Sequence, residues 1–544
     1  MRFTTLAFAA CAVLFPRSLS AQERPSDPLS AARAEMAKAG YTAEDLQDVV
    51  LKDQYRTARS GAQHTFYRQR WQGIEVWNGD VAIHQAADGR IVKLNNGTFS
   101  HIAKRVNTTS PALSPEAALA LVLNKDGVKG ALPALIGTDA SLKRWSYDGA
   151  AFSGEPVTVQ LVYQPVNDRL QLAWNVAYYN ANGTHWWNVR VDATSGAELD
   201  RNDWVSQCAF DAPHDDHAHG AAPVPEEAPA PAPAAPNDYR VYPWPAESPN
   251  HGAHVLRNAP WTAGGIASPY GWHDTNGAAG AEYTITRGNN VWASEDANAD
   301  NVAGASPDGG ATLDFDFAVD LAQAPSAYLN AATTNLFYWN NLMHDVWYQY
   351  GFDDPAGNFQ SNNYGRGGAG NDWVNADAQD GSGTNNANFG TPPDGSSPRM
   401  QMYRWTNTTP NRDSDLDNGV IAHEYGHGIS NRLVGGPSNT SCLGNAEQMG
   451  EGWSDYFGLM MTIEAGDQRN DVRGIGTYLL GQPVSGGGIR PAPYCTNFPT
   501  NSFTYANTNS GVSQPHGIGF VWCTMLWELT WDLIDQYGLD PDIY

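Results

Sequence analysis

The first part of the chain changes hydrophobic period twice. Residues 30–48 read as a short helix; residues 64–79 then alternate apolar and polar and end in turn residues, the pattern of a hairpin. Residues 89–97 continue that sheet. Residues 113–123 repeat at helical spacing behind a start signal, Ser114 before Pro115, and strands return over 157–163 and 171–192. None of these segments gathers His, Asp and Glu in a way that suggests chemistry. Residues 211–238 break the pattern: His214, His217 and His219 precede a Pro/Ala run over 221–236 that cannot bury a core, so the stretch reads as an extended, exposed linker. Ordering such a tract around an ion costs conformational entropy, which favours solvated histidines over a zinc site. From Tyr239 the chain is rich in Gly, Asn, Asp and aromatic residues. It carries short strand-like runs at 283–286 and 311–317 and one long helical pattern at 327–350, whose stripe from Leu336 to Trp347 predicts a core helix with His344 as a structural histidine. Helical patterns recur after Glu451 and over 517–537.

Chemistry concentrates at His423-Glu-Tyr-Gly-His427. On a helix, positions i and i+4 share a face, so both imidazoles can hold one metal ion while Glu424 points beside them toward an open coordination position. Glu451 lies 28 positions on (451 − 423), room for the first helix to end near Gly435-Gly436-Pro437 and a second to return antiparallel with a third ligand. Asp455, at i+4 from Glu451, falls on the same face, where it can accept a hydrogen bond from the far nitrogen of a ligating histidine.

At these two motifs the sequence resembles the fungalysin-type metallopeptidases, relatives of thermolysin, whose signatures look like HEYGHGISNRL at 423–433 and MGEGWSDYFG at 449–458. Residues 268–273, 286–290 and 385–395 resemble text of the same catalytic domain, and residues 174–176 and 191–196 the end of a fungalysin/thermolysin propeptide. The resemblance implies a multidomain α+β fold: an α+β propeptide, then a thermolysin-like catalytic domain with a β-rich N-terminal lobe and a mainly helical C-terminal lobe. The expected divisions are a signal peptide at 1–21, a propeptide acting as inhibitor and chaperone at 22–207, a linker with the processing site at 208–238, the β-rich lobe at 239–422, and the active-site helix with its helical lobe at 423–544. Relatives usually continue past such a lobe, so the chain is expected to be either a fragment or an enzyme with a short helical lobe. The implied activity is that of a zinc endopeptidase: His423, His427 and Glu451 hold one Zn²⁺, and Glu424 takes the proton of the zinc-bound water as it attacks the peptide carbonyl. His516 is the implied stabiliser of the oxyanion, although the Gln514-Pro515-His516 context lacks the aspartate relatives place there. Arg490 is implied to bind a substrate carbonyl, and Asn386 and Ala387 to bind extended substrate on an edge strand.

Composition narrows the partners. A formal charge of −26 without a basic patch argues against nucleic acid and anionic membranes, leaving protein or peptide substrates and the chain's own propeptide in cis. Arg2, the apolar run at 6–15 and the small residues at Ser20-Ala21 read as a secretory signal, so the protein is expected outside the cell. In that compartment Cys442 and Cys495 are expected to pair, with free buried thiols as the alternative. Calcium has no clear loop: Asp413, Asp415, Asp417 and Glu424 have calcium-loop spacing but lack its glycine, and Asp296-Ala-Asn-Ala-Asp300 runs into Pro307; a calcium ion elsewhere stays open. The rival reading is an inactive, zinc-binding secreted remnant whose propeptide-like module binds or inhibits peptidases. Casein hydrolysis together with zinc content separates the two.

Overall fold

The computed structural model describes residues 27–152, 154–207, 238–445, 447–540 and 542–544. The expected signal peptide, Cys208 and the expected linker up to residue 237 fall outside the described residues. Three sheets, of ten, six and three strands, and a set of helices make a multidomain α+β fold.

A ten-stranded sheet accounts for the alternating N-terminal patterns. Val49–Arg56, Gln63–Trp71 and Ile74–Gln85 pair antiparallel, the last meets Val157–Val166 in parallel, and Arg169–Tyr179, Trp186–Asp192 and Glu198–Asp203 extend the sheet. The period-two register puts Val157, Val159, Leu161 and Tyr163 on the same buried side as Leu170, Leu172, Trp174, Val176 and Tyr178. Helix Pro115–Lys125 covers that face with Ala118, Leu119, Val122 and Leu123; Ser114 caps it by accepting from the Ala117 N–H at 3.2 Å.

The second sheet has six strands. Along its main path, Val205–Gln207 pairs with Ala387–Gly390, followed by Arg399–Trp405, Val374–Thr384 and Val291–Glu295. Its first strand is therefore the end of the N-terminal unit, laid antiparallel on the strand from Ala387 with Val205 opposite Gly390 and Gln207 opposite Asn388. Other contacts fix the two units together: Ser438 Oγ donates to Asp53 at 3.0 Å, Asn439 Nδ2 to Asp80 at 2.8 Å, and Asn202 Nδ2 and Trp204 Nε1 both to Ser441 Oγ at 3.2 Å.

Helix Leu329–Gln349 runs behind this sheet and is buried nearly all round, as its stripe predicts. Among its buried amides, Asn335 Nδ2 donates to the Asp415 carbonyl at 2.7 Å and to Asn418 Oδ1 at 2.8 Å. His344 is held between Asp345 at 2.9 Å and Gln360 at 3.0 Å. Two strand expectations fail. Residues 283–286 make only an isolated bridge, Ile285 to Asp308, and within 311–317 only Asp314–Phe315 is a strand, because Leu313 adopts φ 53° and ends the extended run. The Cys442–Cys495 pairing does not form: both are thiols, and the Cys495 Sγ is turned to the Asn470 carbonyl at 3.3 Å.

Candidate metal centre

Helix Asn418–Val434 carries the first motif. Asp417 starts it by accepting from the Val420 N–H at 3.2 Å, which gives the last aspartate of the calcium-like spacing a capping role. The helix is buried along almost its whole length, and its glycines permit this: a Cβ on Gly428 would stand 2.7 Å from Phe359 and Phe389, and one on Gly426 2.7 Å from Phe457. Helix Gly450–Met461 packs against it and carries Glu451 and Asp455 one turn apart. Helix His516–Tyr537 packs behind in turn, so closely that a Cβ on Gly452 would lie 2.0 Å from the Gly519 carbonyl oxygen. The second glycine of Gly450-Glu-Gly452 is thus what lets His516 approach Glu451.

Three side chains converge on one point. The Nε2 atoms of His423 and His427 are 3.2 Å apart; Glu451 places one oxygen 3.5 Å from the first and the other 3.6 Å from the second. Ligand atoms of all three lie within 4.8 Å of one another, and all three residues are buried. The far nitrogen of His423 donates to Asp455 Oδ1 at 2.8 Å, which turns its Nε2 toward the centre. Electrostatics mark the same point as a cation's place. Burial disfavours the charged form of His423, yet hydrogen bonds to Asp455 and Glu451 carry it up to about 9, whereas burial takes His427 down to about 3. Burial raises Glu451, but His427 and His423 outweigh it and bring it to about 2. A carboxylate and two imidazoles, with one positive charge held among them, fit a divalent ion that prefers nitrogen and oxygen donors in a tetrahedral set.

The remaining predicted residues surround this point. Glu424 is fully buried beside His423 and is not one of the three convergent groups. Arg490 is buried rather than exposed; its guanidinium forks onto Asp455 at 2.7 and 2.8 Å and reaches Glu451 at 3.5 Å. His516 opens its helix with Nε2 3.5 Å from Glu451, and the same nitrogen donates to the Gln207 carbonyl at 3.1 Å. Ala387 begins the strand that Val205–Gln207 covers, and Asn386 precedes it, buried. A cavity of about 60 Å³ is left between His427, Asn431 and Gly450 on one side and Asn202, Trp204 and Ser206 on the other. Two participants were not foreseen. Tyr494 donates its hydroxyl to Asp455, and the Gln207 strand fills the cleft; no local pattern distinguishes either from ordinary tyrosine and strand text.

A two-His, one-Glu centre on two packed helices, lying beside a sheet edge covered by an extended strand, defines a metallopeptidase. A family model described as fungalysin metallopeptidase (M36) matches residues 238–544, and one described as fungalysin/thermolysin propeptide motif matches residues 47–98. The chain belongs to the fungalysin metallopeptidases. Extracellular metalloproteinase 2 of Arthroderma gypseum is 36% identical over 522 residues, that of Trichophyton rubrum 34% over 513, and extracellular metalloproteinase mep of Aspergillus fumigatus 35% over 520. Each alignment covers 91% of this chain and 73% of the relative. The protein is an extracellular metalloendopeptidase bearing a propeptide motif, and no helix among the described residues is long and apolar enough to cross a membrane.

Proposed function

We propose that the chain is a zymogen whose catalytic part hydrolyses peptide bonds at a zinc ion held by His423, His427 and Glu451, with Glu424 as the proton carrier. The convergence of those three ligand atoms within 4.8 Å carries the reading. Zinc bound there supplies Lewis acidity to the attacking water and to the scissile carbonyl. Glu424 takes the proton of the attacking water and returns it to the departing amine, which explains a buried carboxylate next to a ligand that does not itself join the donor set. Asp455 fixes the tautomer of His423, and Arg490 and Tyr494 keep Asp455 ionised and in place. His516 donates Nε2–H to the oxygen that becomes the oxyanion, as it donates to the Gln207 carbonyl in the closed form. The fork on Asp455 uses Nε and Nη2 of Arg490, so it can stay in place while another N–H of the guanidinium meets a substrate carbonyl.

The substrate lies where Val205–Gln207 lies, as an added antiparallel strand on Ala387–Gly390 positioned by Asn386 and Ala387. On this reading residues 22–207 are the inhibitory propeptide, residues 208–238 the processing segment, residues 239–422 the β-rich lobe and residues 423–544 the active-site helix and helical lobe. Casein hydrolysis by the purified secreted protein, with and without a chelator and with metal content measured in parallel, tests the activity. Chelator-sensitive cleavage with one zinc per chain is expected; a zinc-loaded, processed protein that leaves casein intact rules the reading out. Because an exposed linker is the natural place to cut, mass spectrometry of the active enzyme is expected to find a new N-terminus between Cys208 and Tyr239. Active enzyme that keeps residues 22–207 covalently attached contradicts the zymogen arrangement.

A further inference from the structure

Away from the cleft, three buried carboxylates meet. Asp296 follows the strand Val291–Glu295, and Asp377 and Asp380 belong to Val374–Thr384; ligand oxygens of the three lie within 4.8 Å of one another. In a regular strand Asp377 and Asp380, three positions apart, would face opposite sides of the sheet. A bulge between them, with Gln379 at φ 50°, brings them to one side. The Asp296 backbone is tied to the bulge: its N–H donates to the Ala378 carbonyl at 3.2 Å, and its own carbonyl accepts from Gly381 at 2.9 Å.

One guanidinium faces this cluster, Arg399, whose Nη1 is 2.5 Å from Asp377 Oδ2. Three carboxylates against one cation cannot all stay ionised in a buried place without a further counter-charge. Burial together with the charges of Asp377 and Asp380 pushes Asp296 up to about 9, and burial together with Asp377 pushes Asp380 up to about 7.

A second observation comes from Gln401, which pairs with Asp377 across the ladder and is fully buried. Its amide rests on the cluster, with Nε2 2.8 Å from Asp380 Oδ2, 3.0 Å from Asn301 Oδ1 and 3.3 Å from Ser382 Oγ. Its Oε1 has no hydrogen-bond partner. The amide hydrogens suit these acceptors, but the oxygen at the other end of the group is left buried and unanswered. Turned over, it adds a neutral oxygen to the carboxylates. We propose that Asp296, Asp377, Asp380 and the Gln401 side-chain oxygen form a binding site for a hard divalent cation, calcium by its all-oxygen donors, separate from the catalytic centre. The ion would lock the bulge to the turn at Asp296. The same strand leads through Asn385 into Ala387, so the site braces the edge on which peptide is laid.

The test uses the full-length secreted protein freed of calcium by a calcium-selective chelator and dialysed against calcium chloride, with both metals measured by mass spectrometry and unfolding followed by scanning fluorimetry. The expected result is one calcium per chain, an upward Tm shift of about 5 °C and unchanged catalytic metal. Asp380→Asn should lose the calcium and the Tm gain while keeping the catalytic metal. In calcium-free buffer the same variant should be at least as stable as the parent, because one of the mutually repelling charges is gone. Asp296→Asn, on a different element, makes the same measurement if the first variant does not fold. No calcium uptake, or uptake that survives both substitutions, overturns the proposal.

Discussion

Glu424→Gln is expected to retain the catalytic metal and the fold and to lower kcat/KM on casein-derived peptides by about 10²–10⁴-fold, the range set by loss of a positioned acid–base group. Three facts make this substitution decisive. The amide is close in size to the carboxylate, so a side chain buried among Asn418–Val434 and its neighbours is replaced without a cavity. The group is outside the convergent donor set, so metal content should not change. An amide cannot carry a proton from the attacking water to the leaving amine, so the loss should appear in kcat with little change in KM. The measurement is steady-state kinetics on processed enzyme with metal analysed in the same preparation. Turnover near the parent value would assign the proton transfer to another residue.

Glu451→Ala should instead act on the metal. Loss of an outer partner such as Asp455 typically costs about 10–100-fold in affinity, and loss of a direct ligand at least as much, so the purified variant should emerge with little zinc. Glu451 also faces His423, His427, Arg490 and His516 at 3.5–3.6 Å. Removing the carboxylate leaves the buried Arg490 guanidinium and the charge on His423 facing one acid fewer, a change of the kind that costs about 3–5 kcal/mol. A lower Tm and lost metal should therefore appear together, read by calorimetry and elemental analysis. Full zinc occupancy in a folded variant would place the third ligand elsewhere.

What could be seen in the sequence was whatever depends on short spacing. The pair His423 and His427, and the pair Glu451 and Asp455, are each one helical turn apart, so facing partners follow from the helix repeat alone. Helix 327–350 was equally visible, because a stripe of aromatics has few places to go except a core. Features set by irregular backbone were hidden. The convergence of Asp377 and Asp380 depends on a bulge, and strand alternation argues for the opposite placement. The run 311–317 alternates well and still turns at Leu313. The covering of Ala387–Gly390 by Val205–Gln207 joins residues about 180 positions apart, a pairing that neither segment's own pattern specifies. Arg490 was assigned to substrate from its motif text, and its fork holds Asp455 because the carboxylate beside His423 needs a counter-charge once buried.

The strand Val205–Gln207 is a short ligand, three residues long, and on its own would bind a sheet edge weakly. Joined to the catalytic part by one chain, it is present at an effective concentration in the millimolar range, and occupancy does not depend on how dilute the protein is. Were the linker cut as proposed, the module would be held by its non-covalent contacts alone, the strand together with those of Asp53, Asp80, Asn202 and Trp204 to residues 438–441. The share of enzyme left covered would then fall with dilution.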